Sequence, residues 1–469
     1  MRDRNAVSAG DAALVPTSAV PDLVWPALPR PDGARALAVL HQLEHSQWWA
    51  PETLRAWQFR QLNELLHYAV KAVPFYGERL RAAGVAPGRR MTPEAWAQMP
   101  ILTRAEVQSA GTDLHSRELP RAHGPVRKVA SSGSTGRPIE SLTTGVTRTF
   151  RHAFTLRDHL WHGRDFGGKL AAIRAFPTGT ATYPKGIHGP DWAGAVFGVY
   201  RSGPSAGLSV VTPVEEQAEW LAREDPDYLL TFPSALRALA RHCRDKGIAL
   251  PRLREARTIS EILTPETRHA CRAAFGVEVV DAYSANEAGY IALQCPGRDH
   301  YHVQSEGVLL EILKDDGTPC APGEIGRVVT TGLHNFAMPL IRYEVGDLAE
   351  AGAPCPCGRG LPVIKRVLGR VRNMLRLPGG GQVWPLIGEP SYVQIPAIRQ
   401  YQILQTSLER LQVRLVTTRP LSDEEESRLR EIIVERLGHP FEIALSYHDE
   451  IPRSAGGKFE DFKCEIEDA

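Results

Sequence analysis

The chain opens on polar, Pro-scattered residues and then settles into periodic apolar spacing. From Leu37 to Ala83 the pattern is helical. Leu54, Trp57, Leu62, Leu65, Leu66 and Ala69 recur at helical intervals in LRAWQFRQLNELLHYAVKAV, and Pro74 closes the run. A second helical stretch, PEAWAQM, leads to Pro100. Between Val126 and Thr144 the pattern shortens to a strand, a Gly/Ser/Thr-rich loop and another strand. Beyond it, apolar runs of strand length alternate with helices: KLAAIRAF, GLSVVTPV, a helix through Trp220, YLLTFP, the helix ALRALARHC, ARTIS, a helix from Pro265 to Phe275, and VEVVDAYS. This alternation predicts an α/β fold with a largely parallel sheet covered on both faces.

After Glu287 the helices drop out. GVLLEIL, GEIGRVVTTGL and PLIRYEVGDLAE are separated by Gly, Pro and Asp turns, predicting an antiparallel or barrel-like β subdomain over about 288–368. The cluster LPGGG at Leu377–Gly381 suits a linker, so a boundary is expected near Gly369–Gly381. The remainder has the pattern of a small α+β unit: LQVRLVTT, the charged helix SDEEESRLREIIVERL and a final strand. The predicted organisation is a loosely ordered tail over 1–30, a large domain of mixed and parallel sheets over 31–370, and a small α+β domain over 371–469.

Composition narrows the function. Across 469 residues, 55 Lys and Arg face 54 Asp and Glu, a formal charge of +1 that removes the electrostatic case for a nucleic-acid or membrane-surface partner. No apolar run approaches the ~20 residues that span a bilayer. Near the start, Arg2 and Arg4 alternate with Asp3 and Asp11 without an apolar stretch, unlike a secretion signal. Seven cysteines, an odd number, argue against a disulfide scaffold and for the reducing cytoplasm.

Five segments carry candidate chemistry. SSGSTGRP (Ser131, Ser132, Gly133, Ser134, Thr135, Gly136, Arg137) offers backbone N–H groups, hydroxyls and a cation without bulk, as a phosphate chain requires; no GK[ST] follows, so it is not a P-loop. DAYSANEAG follows an apolar strand, where α/β folds place ligands; Tyr283 is suited to stack on a purine and Glu287 to hold Mg²⁺. In IRYEVGDLAE, Asp347 has the bidentate acceptor geometry for two ribose hydroxyls, or else marks a simple turn. Arg370 in GRVRN could reach ribose or phosphate, and Lys458 in PRSAGGKFED follows two glycines that let a loop deliver its ammonium. The absence of G-x-G-x-x-G between a strand and a helix disfavours a Rossmann dehydrogenase.

Taken together and in this order, these motifs resemble the adenylate-forming enzymes, over roughly Leu54 to Ile466. Within them the chain is most similar to phenylacetate–CoA ligase and its relatives, on VPFYGERLRAAGV, MTPEAWAQMPILTRAEV and SEILTPETR. The resemblance implies that Ser131–Gly136 grips the ATP phosphates and that Tyr283 flanks adenine within the loop Asp281, Ala282, Tyr283, Ser284, Asn286. It implies Mg²⁺ on Glu287, ribose on Asp347 with Arg370 assisting, and Lys458 on the carboxylate and α-phosphate. Glu261, in the stretch before the adenine pocket, is implied to contact the nucleotide, and the small C-terminal domain is implied to be mobile, rotating between adenylation and thiolation. Arg137 stands where lysine is usual, Ser284 and Asn286 where Gly and Thr or Ser are usual, and Arg372 and Asn373 where the hinge normally has an acidic residue.

The implied reaction converts a carboxylic acid, expected to be aromatic, and ATP into an acyl-adenylate and pyrophosphate, then passes the acyl group to coenzyme A. Alternatives are transfer to an amine or a carrier-protein thiol, or a non-catalytic nucleotide-binding regulator. A homodimer is compatible with either. Cys295, His302, Cys355 and Cys357 are expected to form a Cys₃His zinc site, as similar cysteines do in some of these relatives, with His300 as an alternative ligand; the other reading is reduced thiols in separate turns. The acid pocket is expected between the Trp161–Trp192 region and the loops after YLLTFP and DAYS, lined by Phe176, Tyr183, Phe232, Pro233 and Ala285.

Overall fold

The structure is a computed structural model that describes residues 15–86, 88–130, 139–370, 374–379, 382–383, 395–454 and 457–466. Ser131 to Arg137, and Arg372 with Asn373, lie outside the described residues. The strands on either side of the first of these segments, Arg127–Ala130 and Glu140–Thr143, pair antiparallel.

The run predicted as helical is divided into three helices, Pro31–Ser46, Pro51–Ala72 and Tyr76–Ala82. Pro51 opens a new helix because its missing N–H is an orphan at that position anyway, and Pro74 cannot continue one. Leu54, Leu62, Leu65, Leu66 and Ala69 are buried as their spacing requires, but Trp57 stays 53% exposed and Phe59 takes the core position instead. PEAWAQM shortens to Pro93–Ala97, started by the Thr92 side chain accepting from the Ala95 N–H. Among the described residues there is also an unpredicted helix, Gly145–Trp161, opened by a reciprocal Thr144–Thr147 cap.

Among the described residues, twelve strands form one sheet. Its order is Val308–Leu313, Ile325–Gly332, Tyr343–Ala351, Val363–Arg370, Tyr301–Val303, Gly289–Gln294, Glu278–Ala285, Glu255–Ile259, Tyr228–Thr231, Leu170–Arg174, Ser205–Ser209 and Ile187–Gly189. The five strands from Glu278–Ala285 to Ser205–Ser209 are parallel to one another. The strands after Glu287 are antiparallel as predicted, but they extend this same sheet through the Glu278–Ala285/Gly289–Gln294 hairpin rather than closing a barrel. Helices Val214–Glu224 and Pro233–Lys246 bury Trp220, Leu221, Leu236 and Leu239 against the parallel half. Pro51–Ala72 and its neighbours bury Leu62, Leu66 and Trp96 against the antiparallel half.

The C-terminal unit has its own four-stranded sheet, ordered Glu442–Tyr447, Arg410–Thr417, Ile398–Gln405, Phe462–Cys464. Helix Asp423–Leu437 covers it through Leu429, Ile433 and Leu437, and Leu375 joins that core. Ser422 and Glu425 cap the helix reciprocally, and four acidic residues fill its first turn, complementing the helix dipole. No helix among the described residues is long and apolar enough to cross a membrane.

Candidate active site

The parallel strands end on a common edge, where an α/β sheet presents backbone groups and loops to a ligand. A cleft of about 820 Å³ opens there, with the C-terminal unit over it. Phe232, Pro233, Glu261, every residue from Asp281 to Glu287, Asp347, Arg370 and Lys458 line it. Segments more than 200 residues apart in sequence thus face one space.

Asp347 is inside the strand Tyr343–Ala351 and not at its end, directly across from Arg370 on Val363–Arg370. Gly346 precedes it at φ +84, a left-handed conformation suited to glycine and close against the Arg370 guanidinium. One Asp347 oxygen lies 3.1 Å from Arg370 Nε, and the other accepts the Tyr283 hydroxyl at 2.8 Å. Arg370 Nη1 donates to the Val345 carbonyl at 2.7 Å, fixing the guanidinium. The carboxylate is therefore held in one orientation by a cation and a phenol, with lone pairs remaining for hydroxyl donors from the cleft.

Asp281 is bonded differently. Its oxygens accept from Thr258 Oγ1 at 2.7 Å and from the Tyr301 hydroxyl at 2.8 Å, and its N–H donates to Gln294. Burial pushes its carboxyl above the usual carboxylate range. These bonds make it a brace for the cleft wall. Ser284 and Asn286 are exposed at the tip of the hairpin, and Glu287 is half-buried in its turn. That turn joins two antiparallel strands and is not the start of a helix.

Lys458 arrives from the C-terminal unit. Gly457 before it has φ +75, and a Cβ there would come within 2.8 Å of Val210, so the loop can lie flat on the cleft floor only as glycine. Ser454 bonds Lys458 twice, donating its N–H to the Lys458 carbonyl at 2.9 Å and accepting the Lys458 N–H at 3.1 Å. Burial and the Arg370 cation push the ammonium below the ordinary lysine value, while Asp347, Glu261 and Glu287 pull it back up. The arrangement is a cation brought among fixed charges of both signs, which suits neutralising an anion that reacts with another anion.

Glu261 lines the cleft with both carboxylate oxygens engaged by the protein. One oxygen accepts the Ser234 N–H at 3.0 Å and the other the Phe459 N–H at 2.7 Å. Tyr183 and Phe176 are elsewhere, because their segment packs on the outer edge of the sheet. The Tyr183 hydroxyl bonds Glu219 and its ring joins the core around Trp220, whereas Phe176 presses on Gly207 of the next strand. Arg104, Arg237 and Asp461 line the cleft without having been singled out in the sequence. Asp461 and Arg453 flank Lys458 within PRSAGGKFED, and that local charge pattern was the available signal; Arg104 and Arg237 carried none.

Next to the cleft, the four predicted sulfur and nitrogen donors converge: their ligand atoms all lie within 4.8 Å of one another. Cys295 and Cys355 sulfurs are 3.8 Å apart, and Cys357 sulfur is 3.3 Å from His302 Nε2. His302 Nδ1 faces the Leu361 carbonyl at 3.4 Å, which directs Nε2 inward. His300 Nε2 lies 3.0 Å from Cys355 sulfur, on the cleft side. Burial and the neighbouring thiols push Cys295 up to about 12, and burial pushes His302 down to about 4. Contacts with Arg359 and Cys355 instead lower the Cys357 thiol against its burial. A neutral imidazole beside three grouped thiols is a donor set that fits Zn²⁺.

The fold is shared with solved CoA ligases. The chain superposes with a TM-score of 0.69 on 2-hydroxyisobutyryl-CoA ligase in the postadenylation state in complex with R3-HIB-AMP, at 17% identity, covering 88% of this chain and 89% of that one. Residues 390–464 match the family model described as the CapK C-terminal domain. More particularly, the chain resembles the phenylacetate–coenzyme A ligases. It is 27% identical to that of Thermus thermophilus over 87% of this chain and 95% of the relative, and 24% identical to that of Pseudomonas putida over 70% and 73%.

Proposed function

We propose that the protein is an AMP-forming acid–thiol ligase. It activates a carboxylic acid with ATP to an acyl-adenylate, releasing pyrophosphate, and then forms a thioester with coenzyme A. The observation that carries this is the convergence of Lys458, Asp347 and Glu287, from three distant segments, on one cleft. A carboxylate attacking an α-phosphorus is repelled by the charge of its target. Lys458 offsets that repulsion, Asp347 held by Arg370 and Tyr283 anchors the ribose, and Ser131–Arg137 carries the outer phosphates of the leaving group.

Glu287, half-buried among these charges, suits Mg²⁺, which would neutralise phosphate charge when bound. Cys295, His302, Cys355 and Cys357 suit a structural zinc that would tie the hairpin loop to the Cys355–Gly360 turn. The small domain over 371–469 acts as the lid carrying Lys458. Phe232, Pro233 and Ala285 supply an apolar, partly aromatic wall on which we place a flat aryl acid, phenylacetate-like in shape. The free state of all seven cysteines suits the cytoplasm.

The test is pyrophosphate release over a panel of aryl and alkyl acids, with and without coenzyme A, together with mass-spectrometric detection of the thioester. Acid-dependent release followed by aryl-CoA formation is expected. Release without a thioester would instead favour transfer to an amine or a carrier-protein thiol. ATP binding without release for any acid would replace the proposal with a nucleotide-binding regulator.

A further inference from the structure

Glu261 was expected beside the nucleotide, yet its side chain is only 6% exposed and both oxygens are engaged by the protein. Strand Glu255–Ile259 ends at Ser260, a non-glycine residue at φ +71, a conformation that L-residues avoid unless the surroundings impose it. This elbow turns Glu261 toward the start of helix Pro233–Lys246. Phe232 gives that helix no side-chain cap, so the Ser234 N–H is an orphan first-turn donor, and one Glu261 oxygen accepts it at 3.0 Å. The other oxygen crosses to the C-terminal unit and accepts the Phe459 N–H at 2.7 Å.

The Phe459 amide belongs to the peptide bond that follows Lys458, so this contact fixes the peptide plane next to the Lys458 α-carbon. Further ties run in parallel. Arg453 Nη1 lies 3.6 Å from the same Glu261 oxygen, and donates to Ser234 Oγ at 2.8 Å and to the Gly457 carbonyl at 3.2 Å. One turn along the helix, both terminal nitrogens of Arg237 grip Asp461, at 3.1 and 2.7 Å. A carboxylate that only capped the helix would have no use for a donor 198 residues away.

We infer that Glu261 is a positioning residue for Lys458: its carboxylate clamps the Lys458–Phe459 peptide to the start of helix Pro233–Lys246 during adenylation and releases it for the thioester step. This deepens, and rests on, the ligase reading above. It separates the two half-reactions: a clamp serves the step that needs Lys458 in the cleft and opposes the step that needs the C-terminal domain turned away.

The experiment compares wild type with Glu261→Gln and Glu261→Ala in each half-reaction. Acid-dependent pyrophosphate release without coenzyme A should fall roughly 10-fold in the Gln variant and about 100-fold in the Ala variant, in kcat rather than in KM for ATP. Thioester formation from supplied acyl-adenylate and coenzyme A should be unchanged or faster. A parallel fall in both half-reactions, or full pyrophosphate release in either variant, would overturn the clamp. Amide hydrogen exchange over 457–463, without substrates, gives a readout independent of activity: exchange should quicken about 10-fold or more in the Gln variant. Unchanged exchange removes the clamp, whereas faster exchange in a chain that activates no acid removes only the ligase reading.

Discussion

Replacing Cys355 by serine tests the metal site with a magnitude that the geometry supplies. A tetrahedral zinc with Zn–S near 2.3 Å and Zn–N near 2.0 Å holds two sulfurs about 3.8 Å apart and a sulfur and a nitrogen about 3.5 Å apart. The structure has 3.8 Å for Cys295–Cys355 and 3.3 Å for Cys357–His302. Without a cation, burial and the neighbouring thiols disfavour the Cys295 thiolate; with one, every zinc bound to the folded form stabilises it by mass action. If free zinc exceeds the dissociation constant a thousandfold, that contribution is about 4 kcal/mol. Serine removes one ligand, and its buried hydroxyl adds a cost of about 1–3 kcal/mol unrelated to metal.

The chelator dependence of thermal unfolding isolates the metal contribution. Wild type should contain about one zinc per chain by native mass spectrometry and lose several degrees of melting temperature with chelator. Cys355→Ser should be nearly zinc-free and indifferent to chelator, while Cys320→Ser, outside the cluster, should behave as wild type. Wild-type protein purified with zinc present that holds none and melts identically with chelator would refute the reasoning.

Three further outcomes are expected. Lys458→Ala should lower acid-dependent pyrophosphate release by about 100-fold or more; in wild type kcat/KM should fall on the alkaline side before the ordinary lysine value of 10.5, because the productive charged form is lost as pH rises through a lowered pKa, and Lys458→Arg should move that limb upward. Tyr283→Phe deletes a hydroxyl donor to the buried Asp347 carboxylate, an interaction of about 1.5–3 kcal/mol, and should raise KM for ATP about 10- to 100-fold with little change in kcat. The His334 ring, stacked on Phe150 and pushed down to about 4 by burial, refuses a proton that the unfolded chain accepts from about 6.5. Stability should therefore fall by about 3 kcal/mol as pH drops from 6.5 to 4, and chemical denaturation of His334→Gln should show a shallower slope over that window.

Much of the site was legible because its chemistry is local. Gly457 before Lys458 and Gly346 before Asp347 mark backbone that must bend or approach closely, and a charged residue next to such a glycine is a recognisable pattern. The alternation of apolar strands and helices announced the parallel half of the sheet. Spacing alone could not say that the turn-rich strands after Glu287 join that sheet. An antiparallel hairpin satisfies the same backbone donors whether it extends a sheet or closes a barrel. Tyr183 and Phe176 show the opposite failure: aromatic residues suit a pocket wall and a core equally, and nothing local tells the two apart.

By itself, the order of residues determined the kinds of element, the apolar stripes that bury them and the identity of the charged groups free to do chemistry, since these follow from periodicity and side-chain type. Only the tertiary structure decided which charges meet. Asp347 faces Arg370 through strand register, the four candidate metal donors converge through the hairpin that carries Cys295 and His302, and Glu261 reaches Phe459 because a unit with its own sheet and core lies over the cleft. Such meetings depend on long-range packing: the Glu261 carboxylate accepts N–H groups from two segments, Ser234 and Phe459, that no local pattern brings together.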